Sequence, residues 1–407
     1  MSARGKSAAK TLFKEAGALS LDITERVAAN RDYVVAMRRH FRMYPEVGGE
    51  ERETQKKIMA ELAALGVKAR EAGGTGVIAD IPGAPGGKTV AMRADIDALP
   101  ITDEIEKPYK SRTKGVCHAC GHDGHAAMLL GAAKTLAAMG DELPGSVRLI
   151  FQPSEERFPG GAEIMIAAGA MAGVDAVVGA HLWQPLPVGV IGVTNGALMA
   201  SPDEFTITIQ GKGGHGSMPQ DTIDSILVAA QIVLALRTIT GANVDPREQA
   251  VLTIGMFKAG EVFNIIPDTA VLKGTVRSFD QRVRDAVFAQ MEAYCRGICA
   301  ASGASYTIDP IFGYPPVVNN PKITAVVAEA GREVAGVEVQ EVKPLMVGED
   351  FSYYQHQAPG AFFLIGAGNP AKGCVHPHHH PKFDIDEDAL AYGAETMART
   401  VLKLLAR

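Results

Sequence analysis

The sequence is short of the features that mark secreted, membrane-spanning or nucleic-acid-binding chains. Its five cysteines are an odd number at irregular spacing, which makes no disulfide framework and points to a reducing compartment. There is no basic block and no basic-aromatic ladder, and a net charge of −6 over 407 residues is mild, so nucleic acid is not an expected partner. The longest apolar run, Ile226 to Leu236, is interrupted by Gln231 and is too short to span a bilayer. Residues Met1 to Lys14 carry Lys and Arg, with no uninterrupted apolar stretch before Ala16, which argues against a secretory signal. The expectation is a cytoplasmic protein with no membrane partner, acting on a small molecule and associating with other copies of itself.

What is there is ordinary globular composition, 47% hydrophobic and 21% charged, which excludes disordered and fibrous classes and leaves room for two cored domains. Several apolar runs end on polar groups. Thr89 to Arg93 leads into Asp95 and Asp97, Val147 to Phe151 into Gln152-Pro153-Ser154-Glu155-Glu156, and Ala176 to Ala180 into His181. Short continuous apolar runs are the pattern of strands buried on both faces. In open α/β sheets ligands bind beyond the carboxyl ends of such strands, so these ends deliver carboxylates and an imidazole to one edge.

Between the first two strand ends lies Cys117-His118-Ala119-Cys120-Gly121-His122-Asp123-Gly124-His125, two thiols, three imidazoles and a carboxylate in nine residues. Thiolate and neutral imidazole are preferred donors for zinc and related ions. A closed structural site would draw on a second nearby Cys pair, and the next cysteine is Cys295; the remaining donors must come from distant segments, as in catalytic sites. Two blander readings stand beside this one: a redox Cys-x-x-Cys, or histidines that merely cap a helix.

The middle of the chain changes rhythm. Glu204 to Gln210 alternates, Ile223 to Leu234 has helical spacing, Ala250 to Phe257 and Thr269 to Ser278 read as strands, Gln281 to Ala301 as a helix and Ser305 to Ile311 as a last strand. That order is βαββαβ, the ferredoxin-like pattern. The fold class is therefore α/β: a mixed sheet flanked by helices over 1–199 and 314–407, interrupted by an inserted domain over 200–313. Gly189 to Gly192 and Gly313 to Pro316 read as hinges. After the insertion, Ala361 to Gly366 reads as a buried strand and Asp386 to Leu405 as a closing helix, with the His-rich tract His376-Pro377-His378-His379-His380 between them. Such a tract is a metal-binding candidate by composition, or a surface tract and nothing more.

A site gathering Cys120, His122, one of Glu155 and Glu156, His181 and one histidine of the 376–380 tract has too many donors for one tetrahedral ion. It suits two ions about 3.5 to 4 Å apart that share a bridging ligand, an arrangement fitted to hydrolysis. The adjacent carboxylates then divide the work, one binding metal and the other moving a proton from water to the leaving amine. Taken alone, a Glu-Glu pair is more often a solvated loop.

Seven motifs occur in order: Met92-Arg93-Ala94-Asp95-Ile96-Asp97-Ala98-Leu99-Pro100, His118 to His125, Phe151 to Glu156, Gly211-Lys212-Gly213-Gly214-His215-Gly216, Asn264-Ile265-Ile266-Pro267-Asp268, Gly274-Thr275-Val276-Arg277 and Gly348-Glu349-Asp350-Phe351-Ser352. Together they resemble the M20 family of dinuclear metallohydrolases, in its amidohydrolase branch of hippurate hydrolases, N-acyl-amino-acid deacylases and auxin-conjugate hydrolases. The resemblance runs from about Arg38 to the C-terminal helix. It implies Cys120 as the bridging ligand, His122 and Glu156 on one ion, His181 and His379 on the other, Glu155 as general base and Asp97 as the group that orients a ligand. Asp95 stands where other branches place a ligand histidine and is not assigned to metal. The extra histidines His376, His378 and His380 offer other registers for the last ligand. Cys117 departs from the branch, which commonly has Met there, and could form an adventitious disulfide with Cys120.

The same resemblance makes the insertion a lid and dimerisation domain, His215 a donor to the substrate carbonyl or oxyanion, and Asn264 and Arg277 anchors for the substrate's carboxylate. A guanidinium fork suits that last task, although Arg277 alone also reads as a surface strand residue. The expected enzyme is a metal-dependent hydrolase of N-acyl amino acids, homodimeric or larger, with two divalent ions. Thiolate and imidazole favour zinc, while manganese, cobalt and nickel are also accommodated. The alternatives are a dipeptidase or carboxypeptidase of the same family, and a non-catalytic metal-binding protein on the same scaffold.

Overall fold

The computed structural model describes residues 23–407; the reading of Met1 to Ala16 lies outside the described residues. The chain divides into two compact units. One runs up to Gly196 and resumes over Val318–Lys343 and Tyr353–Arg407; the other comprises Ala197–Val317 and Pro344–Ser352.

In chain order the first unit contributes strands β1 (Lys68–Ala72), β2 (Gly76–Ile81), β3 (Thr89–Asp95), β4 (Ser146–Gln152), β5 (Ala176–Pro187) and β6 (Val190–Val193). The second contributes β7 (Ser201–Gln210), β8 (Ala250–Ala259), β9 (Thr269–Ser278) and β10 (Ser305–Ile311), and the first unit again β11 (Glu338–Glu341) and β12 (Gly360–Gly368). The main helices are α1 (Arg31–Met43), α2 (Arg52–Ala64), α3 (His122–Ala137), α4 (Ser225–Leu236), α5 (Gln281–Ser302), α6 (Pro321–Arg332) and α7 (Asp388–Leu405).

The first unit is built on an eight-stranded mixed sheet in the order β1-β2-β4-β3-β5-β12-β6-β11. Its central strands β4, β3, β5 and β12 run parallel. All nine residues of β12 are buried, as the continuous apolar run predicts. Helices α1, α3 and α7 pack on one another, and α3 and α7 pack on β3. Helix α3 buries residues on all sides, with Ala126, Ala127, Leu129, Leu130, Ala132 and Ala133 inside. Two glycines permit that approach: a Cβ at Gly124 would lie 2.3 Å from Leu182 Cδ1, and one at Gly131 would lie 2.5 Å from Val34 Cγ2.

One expectation is corrected here. Gly189 to Gly192 is not a hinge, because Val190–Val193 forms β6, hydrogen-bonded between β12 and β11 and buried at Val190 and Ile191. A short apolar strand carrying glycine reads in sequence like a linker; in the sheet, Gly192 is the small residue that leaves room for Val342 and Leu364.

The second unit has a four-stranded antiparallel sheet, order β8-β9-β7-β10, with α4 and α5 completing the βαββαβ order. Phe205, Ile207 and Ile209 of β7 alternate inward and meet Val228, Ile232 and Leu236 of α4 and Val287, Met291, Cys295 and Cys299 of α5. The last two cysteines are thus core residues. Asp224 caps α4 by accepting from the amides of Ile226 and Leu227, 2.9 and 3.2 Å, as expected of an N-cap aspartate. The stretch Ser225–Ala242 is long and apolar enough by composition to cross a membrane, with mean hydropathy 1.7, a longer run than the sequence reading marked. Here it is a core element, since the helix breaks after Leu236 and turns Val228, Ala229, Ile232, Leu236 and Ile239 into the sheet.

Asp203, on β7 and wholly buried, accepts from Arg284 Nε at 2.7 Å and from the Gly313 amide at 3.0 Å. Removing one member of a buried pair leaves the other charge uncompensated, so Asp203→Ala is expected to destabilise the second unit by about 3–5 kcal/mol. The measurement is urea unfolding, with an earlier transition than in the parent protein.

Candidate metal centre

The site residues of the first unit stand at or beyond the ends of β3 and β4, at the start of α3 and, for His181, inside β5, which runs on to Pro187 instead of ending there. Asp95 closes β3 and Asp97 follows it; Glu155 and Glu156 follow β4; His181 lies within β5. Helix α3 begins at His122 after Gly121, whose φ of +101° is a left-handed conformation that glycine adopts without a Cβ clash. Cys120 sits just before that turn.

These groups converge. Cys120, His122 and His181 offer one donor atom each within 4.8 Å of one another, as do Cys120, Glu156 and His379, and His122, Glu155 and Glu156. Cys120 Sγ is 3.5 Å from His181 Nε2, and His379 Nε2 is 3.1 Å from Glu156 Oε1. All six residues, read separately in the sequence, therefore share one cluster, with Asp97 beside it: the Glu156 amide donates to Asp97 Oδ2 at 3.0 Å.

The backbone fixes the tautomers. His122 Nδ1 lies 2.9 Å from the Asp97 carbonyl oxygen, and His181 Nδ1 lies 2.8 Å from the Leu182 carbonyl oxygen. A carbonyl can only accept, so both rings carry a proton on Nδ1 and, in the neutral form a metal ligand takes, keep the lone pair on Nε2. His122 Nε2 is buried without a hydrogen-bond partner. His125 differs, because the Leu182 amide donates to its Nε2 at 2.8 Å and its Nδ1 donates to Asp95 at 2.6 Å, so no lone pair is left for an ion. In the His-rich tract, His378 donates from Nε2 to the Leu182 carbonyl at 2.9 Å and stacks on Trp183 at 4.6 Å. It is His379 that reaches Glu156. His118 is buried with neither ring nitrogen hydrogen-bonded, and burial pushes it down to about 3, leaving it neutral.

The electrostatics show what the cluster is missing. Burial, then Glu156 and Glu155, holds the Cys120 thiol well above its ordinary range. Burial works against a charged His122, but Asp95, Asp97 and Glu156 outweigh it and push the ring up to about 10. A site that resists a thiolate and draws protons onto an imidazole lacks positive charge. Together with the orphaned lone pair of His122, this donor set fits divalent cations, which hold thiolate and neutral imidazole as ligands.

Sequence reasoning missed Arg38 and Arg42, which are fully buried. Arg38 donates to Asp123 and Asp384 at 2.8 and 2.7 Å, and Arg42 to Asp103 and to the carbonyls of His118 and Phe383. Their signal was spacing: two arginines four residues apart on the face of α1 that also buries Val34 and Phe41.

The remaining expected residues belong to the second unit. His215 is exposed on a short ribbon in which Gly214–His215 pairs with Ile265–Ile266, and the Gly216 amide donates to the Asn264 carbonyl at 2.9 Å, so His215 and Asn264 are neighbours. The Ser217 amide donates to His215 Nδ1 at 3.1 Å, which leaves Nε2–H as a donor. Arg277 is not on that ribbon; it is half-buried on β9, opposite Pro202 and Val251.

The chain belongs to the Peptidase family M20/M25/M40, whose sequence profile matches residues 91–403, and it is a hydrolase acting on amide bonds. Among its relatives are an N-acetyl-L-cysteine deacetylase of Bacillus subtilis, 40% identical over 97% of this chain and 92% of that one, and thermostable carboxypeptidase 1 of Saccharolobus solfataricus, 41% identical over 94% and 99%. A crystal structure of a Bacillus subtilis protein described as a dinuclear metal binding peptidase of the M20 family is 37% identical, with a TM-score of 0.82 over 93% of this chain and 99% of that one.

If Cys120 is common to two ions, Cys120→Ser should reduce the stoichiometry or weaken the binding of Zn²⁺ or Mn²⁺ to chelator-treated protein by about 10-fold or more. Cys117, wholly buried and with its thiol pushed up to about 11 by burial, should be replaceable by Ser with metal binding retained. Isothermal titration of both variants checks this, and loss of activity in Cys117→Ser would favour the redox Cys-x-x-Cys reading.

Proposed function

We propose that the protein hydrolyses the amide bond of N-acyl amino acids, with hippurate-like or N-acetyl groups, to a carboxylic acid and a free amino acid. Two divalent ions would be held by Cys120, His122, Glu156, His181 and His379. The observation that carries this reading is the membership of Cys120 in two overlapping donor triads, the placement a bridging thiolate requires. The likeness to a protein named for deacetylating N-acetyl-L-cysteine and to one described as a dinuclear metal binding peptidase supports it.

When bound, the ions supply Lewis-acid polarisation of the scissile carbonyl and a more acidic water. Glu155 takes one proton from the attacking water as its oxygen bonds to the carbonyl carbon, then gives that proton to the amine nitrogen as the C–N bond breaks. Asp97 keeps the His122 ring oriented through Nδ1 and holds the Glu156 amide. His215 is assigned as the donor to the developing oxyanion, and Asn264 and Arg277 as the groups that hold the substrate carboxylate. Zinc is the favoured ion for this donor set, with manganese, cobalt and nickel the other candidates.

The inserted unit is proposed as the lid and as the self-association surface. Leu227, Leu234 and Phe263 expose large apolar side chains there, a reason for a second copy to cover them. The five cysteines are all unpaired, in keeping with a cytoplasmic setting.

A second reading, a dipeptidase or carboxypeptidase with the same centre, is favoured by the 41% identity to a protein named as a carboxypeptidase. Turnover of hippurate, N-acetyl amino acids and dipeptides, with each metal returned to chelator-treated protein, separates the two; preference for dipeptides sinks the first. Glu155→Gln is expected to lower kcat by about 10²- to 10⁴-fold while leaving metal stoichiometry intact, and loss of metal in that variant would remove Glu155 from the role of base.

A further inference from the structure

Glu51 is a buried carboxylate that the proposed chemistry does not use. It is 0% exposed, precedes α2 and does not cap it. Its Oε2 accepts from the Thr75 hydroxyl, and its Oε1 accepts from the backbone amide of Ser154 at 2.9 Å. Ser154 has a φ of +57°, a left-handed conformation that costs a non-glycine residue about 1–3 kcal/mol and persists only where the surroundings enforce it.

That turn has a geometric consequence. In extended chain, successive side chains point to opposite sides, yet Glu155 and Glu156 each place an oxygen within 4.8 Å of the same His122 nitrogen and of each other. Glu155 and Glu156 lie in a turn rather than in extended chain, and Ser154, two residues beyond β4, leads into that turn with its left-handed φ. The loop is then pinned at two amides by two buried acids: Ser154 N–H by Glu51 and Glu156 N–H by Asp97 at 3.0 Å. Gly48 closes the same corner, since a Cβ there would lie 3.2 Å from Ser154 Cα and 3.3 Å from Asp97 Oδ2.

We propose that Glu51 is a positioning residue for the Glu155–Glu156 pair, holding the left-handed turn at Ser154 that directs both carboxylates into the metal cluster. The inference rests on the reading of Glu156 as a ligand and Glu155 as the base. A charge-assisted hydrogen bond to a buried carboxylate is of the strength such a turn needs, and groups that orient ligands from behind typically govern affinity and rate together.

The test is Glu51→Ala, read by calorimetric titration of chelator-treated full-length protein with Mn²⁺ alone and by kcat and KM on the best substrate of the acyl-amino-acid panel. Mn²⁺ affinity at one of the two sites and kcat should each fall by about 10- to 100-fold, with KM changed by less than about threefold, the signature of lost transition-state positioning. Adding Ser154→Gly to Glu51→Ala should recover about 10-fold of both losses, because glycine adopts the turn without help. Glu51→Gln, whose amide oxygen still accepts from the Ser154 amide, should retain more than about a third of kcat. Should Glu51→Ala not fold, Glu51→Asp withdraws the oxygen by one methylene and carries the same expectation. Wild-type Mn²⁺ affinity and kcat in the folded Ala or Asp variant, or failure of Ser154→Gly to recover either, overturns the proposal. The Mn²⁺ titration needs no substrate, so it decides the role of Glu51 even if the N-acyl-amino-acid reading fails.

Discussion

Two guanidinium groups one helical turn apart set the geometry on which the metal cluster depends. Burying an ion costs several kcal/mol unless its donors are fully met, and Arg38 and Arg42 are both completely buried. Their acceptors come from separate loops: Asp103; the His118 carbonyl and Asp123; and the Phe383 carbonyl and Asp384. Tyr109 adds a hydrogen bond to Asp384 at 2.9 Å. The Arg38 and Arg42 charges are met only when these loops arrive together. Once they do, Cys120 and His122, at the start of α3, lie near the segment that carries His379.

Against this preformed frame, the cluster itself is electrostatically incomplete. Asp95, buried and close to His122, His125 and Arg93, is held well below its usual range, the charges of those partners outweighing its burial. It acts through His125 and Arg93 rather than as a free donor. Burial, then Glu156 and Glu155, raises the Cys120 thiol well above its ordinary range, and cations beside it would favour the thiolate.

Much of this was legible in the sequence because buried strands announce themselves. Residues 90–92, 149–151, 176–180 and 361–365 are apolar runs inside buried strands, and the polar residues just beyond the second and third, Glu155, Glu156 and His181, contribute donors to the cluster. The alternation of Phe205, Ile207 and Ile209 and the helical spacing in α4 likewise followed from local period. What could not be read was anything decided by a distant partner. Arg38, Arg42 and Glu51 look like surface charges on amphipathic helices until the loops that bury them are in place, and β6 looks like a linker until β11 and β12 flank it.

The choice among histidines is the sharpest case, because one peptide unit makes it. Leu182 donates its amide to His125 and accepts from His181 and from His378. Its N–H consumes the lone pair of His125 and so removes that ring from coordination, while its carbonyl fixes the proton of His181 on Nδ1 and so turns Nε2 toward Cys120. The same carbonyl draws the His378 ring down onto Trp183, away from Glu156. His379, which follows with a left-handed φ of +64°, turns the other way and meets Glu156. Four histidines of equal intrinsic affinity for metal are thus given different tasks by hydrogen bonds to a single residue and one backbone turn, information that composition cannot hold and spacing only hints at.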